Sequence, residues 1–212
     1  MKGLAAPFDA QAVAGRSAFA LTRGLFFASG FAALLYQIAW QRVLFGWYGV
    51  DLDSVSAIVA IFMLGLGAGA IVGGWLADRF ASRRIILFAL IELTIGAFGV
   101  FSLDIIDGVG ALFPAESIPR LVVLTFIVFA VPTCAMGATL PVLVTELVER
   151  TQNVGLSTGT LYFVNTLGAA SGALAAGHVL LPLGGLDGLV AVAAMLNLLV
   201  AGIAYAAFRR GT

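Results

Sequence analysis

Apolar runs of twenty or more residues recur along almost the whole chain, parted only by short polar breaks. A helix needs about 20 apolar residues to cross the hydrocarbon core of a bilayer. Inside lipid, only helices and closed barrels satisfy their own backbone groups. Barrel strands would show segments of about ten residues with alternating polarity. These runs are continuous and rich in Gly, Ala and Leu, so the fold class they predict is an all-α membrane protein. Composition agrees: 61% of residues are hydrophobic and 10% charged, against about 25% charged in a soluble domain. The bilayer is the solvent of this chain.

Six spans are expected, at 20–46, 54–77, 84–106, 119–147, 156–182 and 186–208. Residues 1–19 then form a tail, 20–208 the transmembrane domain and 209–212 a short C-terminal end. Alternate compartments hold unequal shares of Lys and Arg. Lys2, Arg16, Arg23, Arg79, Arg83, Arg84, Arg150, Arg209 and Arg210 fall on one side, and Arg42 and Arg120 on the other. The excess marks the cytoplasm and predicts that both termini lie there. Asp51, Asp53, Asp104, Asp107, Glu116 and Asp187 fall in the opposite loops. The first sixteen residues, with Pro7, Asp9 and Gln11, lack the apolar stretch and small-residue cleavage site of a signal peptide. Net charge is zero, which leaves no electrostatic footprint for nucleic acid. The lone Cys134 excludes an internal disulfide framework. Pro132 and Pro141 fall within the fourth span and are expected to bend it rather than end it.

Laying spans one to three over spans four to six aligns Gly65, Gly69 and Gly73 with Gly168, Gly172 and Ala176. That echo suggests two three-helix repeats, a building plan of transporter folds. Small residues four apart share one helix face and let another backbone approach closely, within a chain or between chains.

The turn between spans two and three reads Gly74-Trp75-Leu76-Ala77-Asp78-Arg79-Phe80-Ala81-Ser82-Arg83-Arg84. Gly74, Asp78, Arg79, Arg83 and Arg84 resemble the signature loop of the major facilitator superfamily, with Ala81 where that family usually has Gly. The resemblance implies a bundle like one six-helix half of that fold, and a loop that latches neighbouring helices in one access state. A carboxylate at the C-terminal end of a helix is disfavoured by the helix dipole unless a cation faces it. Arg79, Arg83 and Arg84 are candidates to face Asp78. Positive-inside anchoring alone is the plainer reading of this loop.

A second resemblance covers nearly the entire chain. The stretch Ser29 to Arg42, including Tyr36-Gln37-Ile38-Ala39-Trp40-Gln41, resembles the first helix of the membrane domain fused to bacterial spermidine-synthase-like proteins. Met136-Gly137-Ala138-Thr139-Leu140-Pro141 and Tyr162-Phe163-Val164-Asn165-Thr166-Leu167-Gly168-Ala169 resemble its fourth and fifth helices, in the same order. It implies a multi-pass protein of the bacterial inner membrane. Relatives of that kind continue into a cytoplasmic aminopropyltransferase domain. Here Thr212 follows the last span closely, so only the membrane half of the resemblance is expected, with no enzyme activity and no cofactor.

Several polar residues fall inside the spans. Ser29, Ala33, Gln37 and Gln41 are four apart and share a face. That face either glues helices together or lines a wet cavity. Tyr36 and Trp40 form an aromatic edge beside it, for packing, interface anchoring or a cation-binding wall. Glu92 is the carboxylate expected deepest in a span, as a proton carrier, an organic-cation site, or a partner of the arginine loop. Asn165 and Thr166, one turn after Tyr162, form a polar cluster beside Gly168 and Gly172, where helix contact is the plainer role. Asn197 is expected to satisfy a neighbouring backbone group. His178 is the sole histidine, which excludes a multi-histidine metal site, and it reads as a packing or interface residue. Thr133 and Cys134 follow Pro132, where freed carbonyls could face a cavity.

No hydrolytic triad, phosphate-binding glycine loop or paired-carboxylate metal site appears in the sequence. The expectation is a half-size secondary transporter for a small organic solute, with a polyamine-like cation as the candidate. One bundle cannot flank a pathway alone, so a homodimer, or a pairing with another half, is expected, the homodimer being the commoner solution. A membrane scaffold for a separately encoded partner enzyme of the spermidine-synthase type is the competing expectation.

Overall fold

Each apolar run folds as helix, and the helices outlast the runs. The structure, a computed structural model, describes residues 8–49, 52–113 and 118–211. Lys2, Asp51 and Glu116, used above for topology, lie outside the described residues. The helices are α1 (Phe8–Tyr48), α2 (Leu52–Arg79), α3 (Arg84–Leu112), α4 (Ile118–Thr151), α5 (Val154–Ala175) and α6 (Leu181–Gly211). A 3-10 turn, Ala81–Arg83, joins α2 to α3, and a π-helical turn, Ala176–Leu180, joins α5 to α6. Helix α1 reaches back to Phe8, well before the apolar run begins.

Local chemistry sets the ends. Asn153 caps α5 by accepting a 2.9 Å hydrogen bond from the backbone N–H of Leu156. Gln152 takes a positive φ of 55° just before it, which turns the chain out of α4. Helix α4 runs unbroken through Pro132 and Pro141. Thr133 and Thr145 donate their hydroxyls to the carbonyls of Phe129 and Pro141, four residues back.

Among the described residues, five helical stretches are long and apolar enough to cross a membrane. They are Phe19–Gly46, Val55–Arg79, Ala81–Leu112, Val122–Thr151 and Val154–Ala207. The sequence reading expects six. The difference lies in the last stretch, whose 54 residues include α5, the π turn and most of α6 with no extended break. As one straight helix it would measure about 80 Å. It does not run straight, because Gly185 sits at φ 62°, ψ −158° and turns the chain back. Asn165 and Asn197 consequently line the same small cavity, whereas a continuous helix would hold them about 48 Å apart.

Contacts fix the directions of the helices. Ser29 meets Glu92, Tyr36 lies against Gly99 and Trp40 bonds Ser102, so α1 and α3 run parallel. Gly65 meets Thr133 and Gly73 meets Ala138, which makes α2 parallel to α4. Gly168 rests on Phe27 and Gly172 on Phe31, which makes α5 parallel to α1. Helix α6 runs against α3, with Asn197 beside Glu92 and Asp187 near Asp104. Helices α1, α3 and α5 thus run one way and α2, α4 and α6 the other. The closest pairings are α2 with α4, α1 with α5, and α3 with α6.

Small residues make the first two pairings possible. A Cβ added at Gly69 would overlap the Cys134 main chain, and one at Gly168 the Phe27 carbonyl. Gly137 reciprocates from α4, seated against the backbone of Leu66. These contacts lie within one chain, and they turn Thr133 and Cys134 toward α2 rather than toward a cavity. At the centre, Tyr36 and Trp40 stack at 4.8 Å, and Trp40 packs on Phe62, Phe98 and Phe129. Outward, Leu64, Trp75, Phe101 and Leu174 are exposed, as suits a surface solvated by lipid tails.

Candidate functional site

A cavity of about 170 Å³ lies among α1, α2, α4 and α5, with single residues from α3 and α6 closing its back. Its polar lining is Ser29, Gln37, Thr139, Asn165 and Asn197, and its apolar lining includes Phe62, Leu66, Ile95 and Met136. The hydroxyl of Thr139 is spent on the carbonyl of Met136, 2.7 Å away. The amides of Gln37 and Asn165 bond no described protein group, so their donors and acceptors are available to a solute or to water. Asn165 comes close because Gly30, opposite it on α1, has no side chain.

Behind this wall sits Glu92, fully buried on α3. Ser29 donates its hydroxyl to one carboxyl oxygen at 2.5 Å. The side-chain amide of Asn197 meets the other, also at 2.5 Å. Glu92 therefore does not pair with the arginine loop, and Asn197 serves a carboxyl rather than a backbone group. Ser29 and Asn197 each line the cavity and each bond Glu92, so they form the layer between them.

The structure disperses the other residues singled out from sequence. Tyr36 and Trp40 are fully buried in the aromatic core and do not line the cavity. Trp40 is held there by a 3.0 Å bond from its indole N–H to Ser102. Gln41, one turn beyond Gln37, is half-buried and Thr166 is exposed, and neither reaches the cavity. His178 is exposed in the π turn, with Nδ1 3.1 Å from the carbonyl of Leu174. Among the described residues no group of His, Cys, Asp and Glu could hold a metal ion.

In the α2–α3 turn the buried member is Arg84. Its Nε donates to the carbonyl of Ala77 at 3.0 Å, and its guanidinium forms an ion pair with Glu149 near the end of α4. One side chain thereby ties together the end of α2, the start of α3 and the last turns of α4. Asp78, Arg79 and Arg83 are exposed, and no described cation pairs with Asp78. Arg79 lies 5.9 Å from the ring of Phe80. Gly74 has open space where a Cβ would stand. A second cavity, of about 430 Å³, opens beside this junction and is bordered by Thr22, Arg84, Glu146, Glu149 and Arg150.

Sequence reasoning passed over Asn197 as a partner of Glu92. The available signal was that each is an isolated polar group deep in an apolar span, and such groups must find one another or water.

No curated protein and no solved structure matches the chain. The family model described as the Major Facilitator Superfamily matches residues 24–211, nearly the whole length. With the helical bundle, the α2–α3 loop and that match together, this multi-pass membrane chain belongs to the Major Facilitator Superfamily.

Proposed function

We propose that the chain is a half-size secondary transporter that crosses the membrane six times, keeps both termini in the cytoplasm and works as a homodimer on a small organic solute. The observation that carries this reading is the cavity itself. It is lined mainly by α1, α2, α4 and α5, carries the uncommitted amides of Gln37 and Asn165, and has a buried carboxyl one layer behind. Reversal of the chain at Gly185 supports counting Val154–Ala207 as two crossings. The pairings support two three-helix repeats, since exchanging α1–α3 with α4–α6 turns the α2–α4 contact into α5–α1 and leaves α3–α6 in place.

What the bundle leaves uncovered supports the proposed homodimer. Gly67, Ile71 and Asp78, with half-buried Gly74 between them, line one outward strip of α2, and Gly159, Tyr162, Phe163 and Thr166 are exposed on α5. A second copy seated on α2 and α5 would close the cavity between two bundles, as transporters built from repeats do. In that arrangement Gly74, Asp78, Arg79 and Arg83 of the loop face the neighbouring copy and latch one access state, while Arg84 holds the loop in place. The bacterial inner membrane is the proposed location, on the resemblance of this chain's helices to spermidine-synthase-like membrane domains, and the Lys and Arg distribution supports the orientation.

A polyamine-like cation is the candidate solute, with Gln37 and Asn165 as its hydrogen-bonding groups. Proteoliposomes given a labelled polyamine should show saturable uptake that Gln37→Leu and Asn165→Leu each lower at least tenfold, the loss of a hydrogen bond to a charged group. Uptake no better than that of empty liposomes, for polyamines and for uncharged or anionic solutes alike, would favour a membrane scaffold for a partner enzyme.

A further inference from the structure

Asn197 is the one buried residue here whose two ends are treated differently. Its amide meets Glu92 at one end, while its Oδ1, equally buried, has no partner. Among the described residues only the Tyr36 hydroxyl shares that condition. Leaving a buried carbonyl oxygen unpaired is costly, and a half-turn of the amide about its last torsion exchanges oxygen for nitrogen with no other movement.

Which orientation is satisfied depends on the proton of Glu92. An ionised carboxylate only accepts hydrogen bonds, so it requires the NH2 of Asn197 and turns the oxygen away. A protonated carboxyl donates one, and the amide oxygen is the acceptor in reach. Ser29 donates to the other carboxyl oxygen in either state.

We infer that Asn197 is a proton-set amide switch, turning its carbonyl oxygen to Glu92 when the carboxyl is protonated and its NH2 when the carboxyl is ionised. Both orientations fit the same buried site, because Glu92 and the free end of the Asn197 amide are alike out of reach of solvent. Little else acts on Glu92. From α1 the ionisable neighbour is the phenol of Tyr36. No charged side chain of α4 or α6 among the described residues acts on it, and Arg84, on its own helix, is engaged by Glu149.

The test is infrared difference spectroscopy across a pH series on the full chain in lipid nanodiscs, with asparagine carbonyls isotopically labelled. A protonated-carboxyl band and a labelled amide band should change together with one midpoint. Glu92→Gln should remove the first and freeze the second. If Glu92→Gln does not fold, Glu92→Asp should move both midpoints by the same amount. A carboxyl band that titrates over a motionless amide band would overturn the switch, and so would a carboxyl that never titrates. Co-titrating bands without solute uptake would leave the switch standing and refute transport, whereas pH-dependent uptake over a static amide would do the reverse.

Discussion

Replacing Gly69 by Ala tests the helix pairing on which the bundle is built. The added Cβ would fall against the main-chain carbonyl of Cys134, which cannot rotate aside, so α2 and α4 must part by roughly 1 Å, a gap that forfeits a quarter to a half of each facing dispersion contact. Overpacking of this kind costs about 1–3 kcal/mol, offset by up to about 1 kcal/mol because Ala is the better helix former. At Gly67 and Gly108 a new Cβ meets open space, so Ala there should be neutral or stabilising by up to about 1 kcal/mol. Gly65→Ala should cost about as much as Gly69→Ala, since its Cβ would overlap both the hydroxyl and the Cβ of Thr133, and the Cβ cannot rotate aside. Reversible unfolding in mixed micelles, read by the change in helical circular dichroism, gives the order. Gly69→Ala as stable as Gly67→Ala would refute the claim that α2 and α4 touch through backbone.

Two other substitutions probe the turns. Arg84→Ala should destabilise the bundle by about 1.5–3 kcal/mol, the range for hydrogen bonds to charged groups, whereas Arg83→Ala, at an exposed position, should leave its unfolding midpoint unchanged. Gly185→Ala should lower the midpoint through backbone strain of about 1–3 kcal/mol at its left-handed φ, although its Cβ would meet nothing. Gly184→Ala, with equal space and an ordinary φ, is its control and should not.

The glycine ladders were legible in the sequence because close helix approach requires residues without side chains at four-residue spacing, and Gly69, Gly73, Gly168 and Gly172 sit against a neighbouring backbone while Gly65 sits against the Thr133 side chain. What the ladders touch was not legible, since spacing marks a face without naming its partner. The same limit applies to Glu92 and Asn197, which are 105 positions apart and meet only because α3 and α6 pack antiparallel. Within the loop, sequence could not separate Arg84 from Arg83. The start of α3 gives Arg84 a register facing Ala77 and Glu149, and leaves its neighbour outside. Tyr36 and Gln37 show how one position decides a role: adjacent on α1, one enters the aromatic core and the other the cavity.

The most direct test of the proposed transporter is the number of chains per particle, counted by native mass spectrometry of the protein released from lipid nanodiscs over a concentration series. A stable dimer, lost when Gly67 or Ile71 on the exposed strip of α2 is replaced by Arg, is the predicted result. A chain that stays monomeric throughout would leave the cavity without a second wall and contradict a shared pathway.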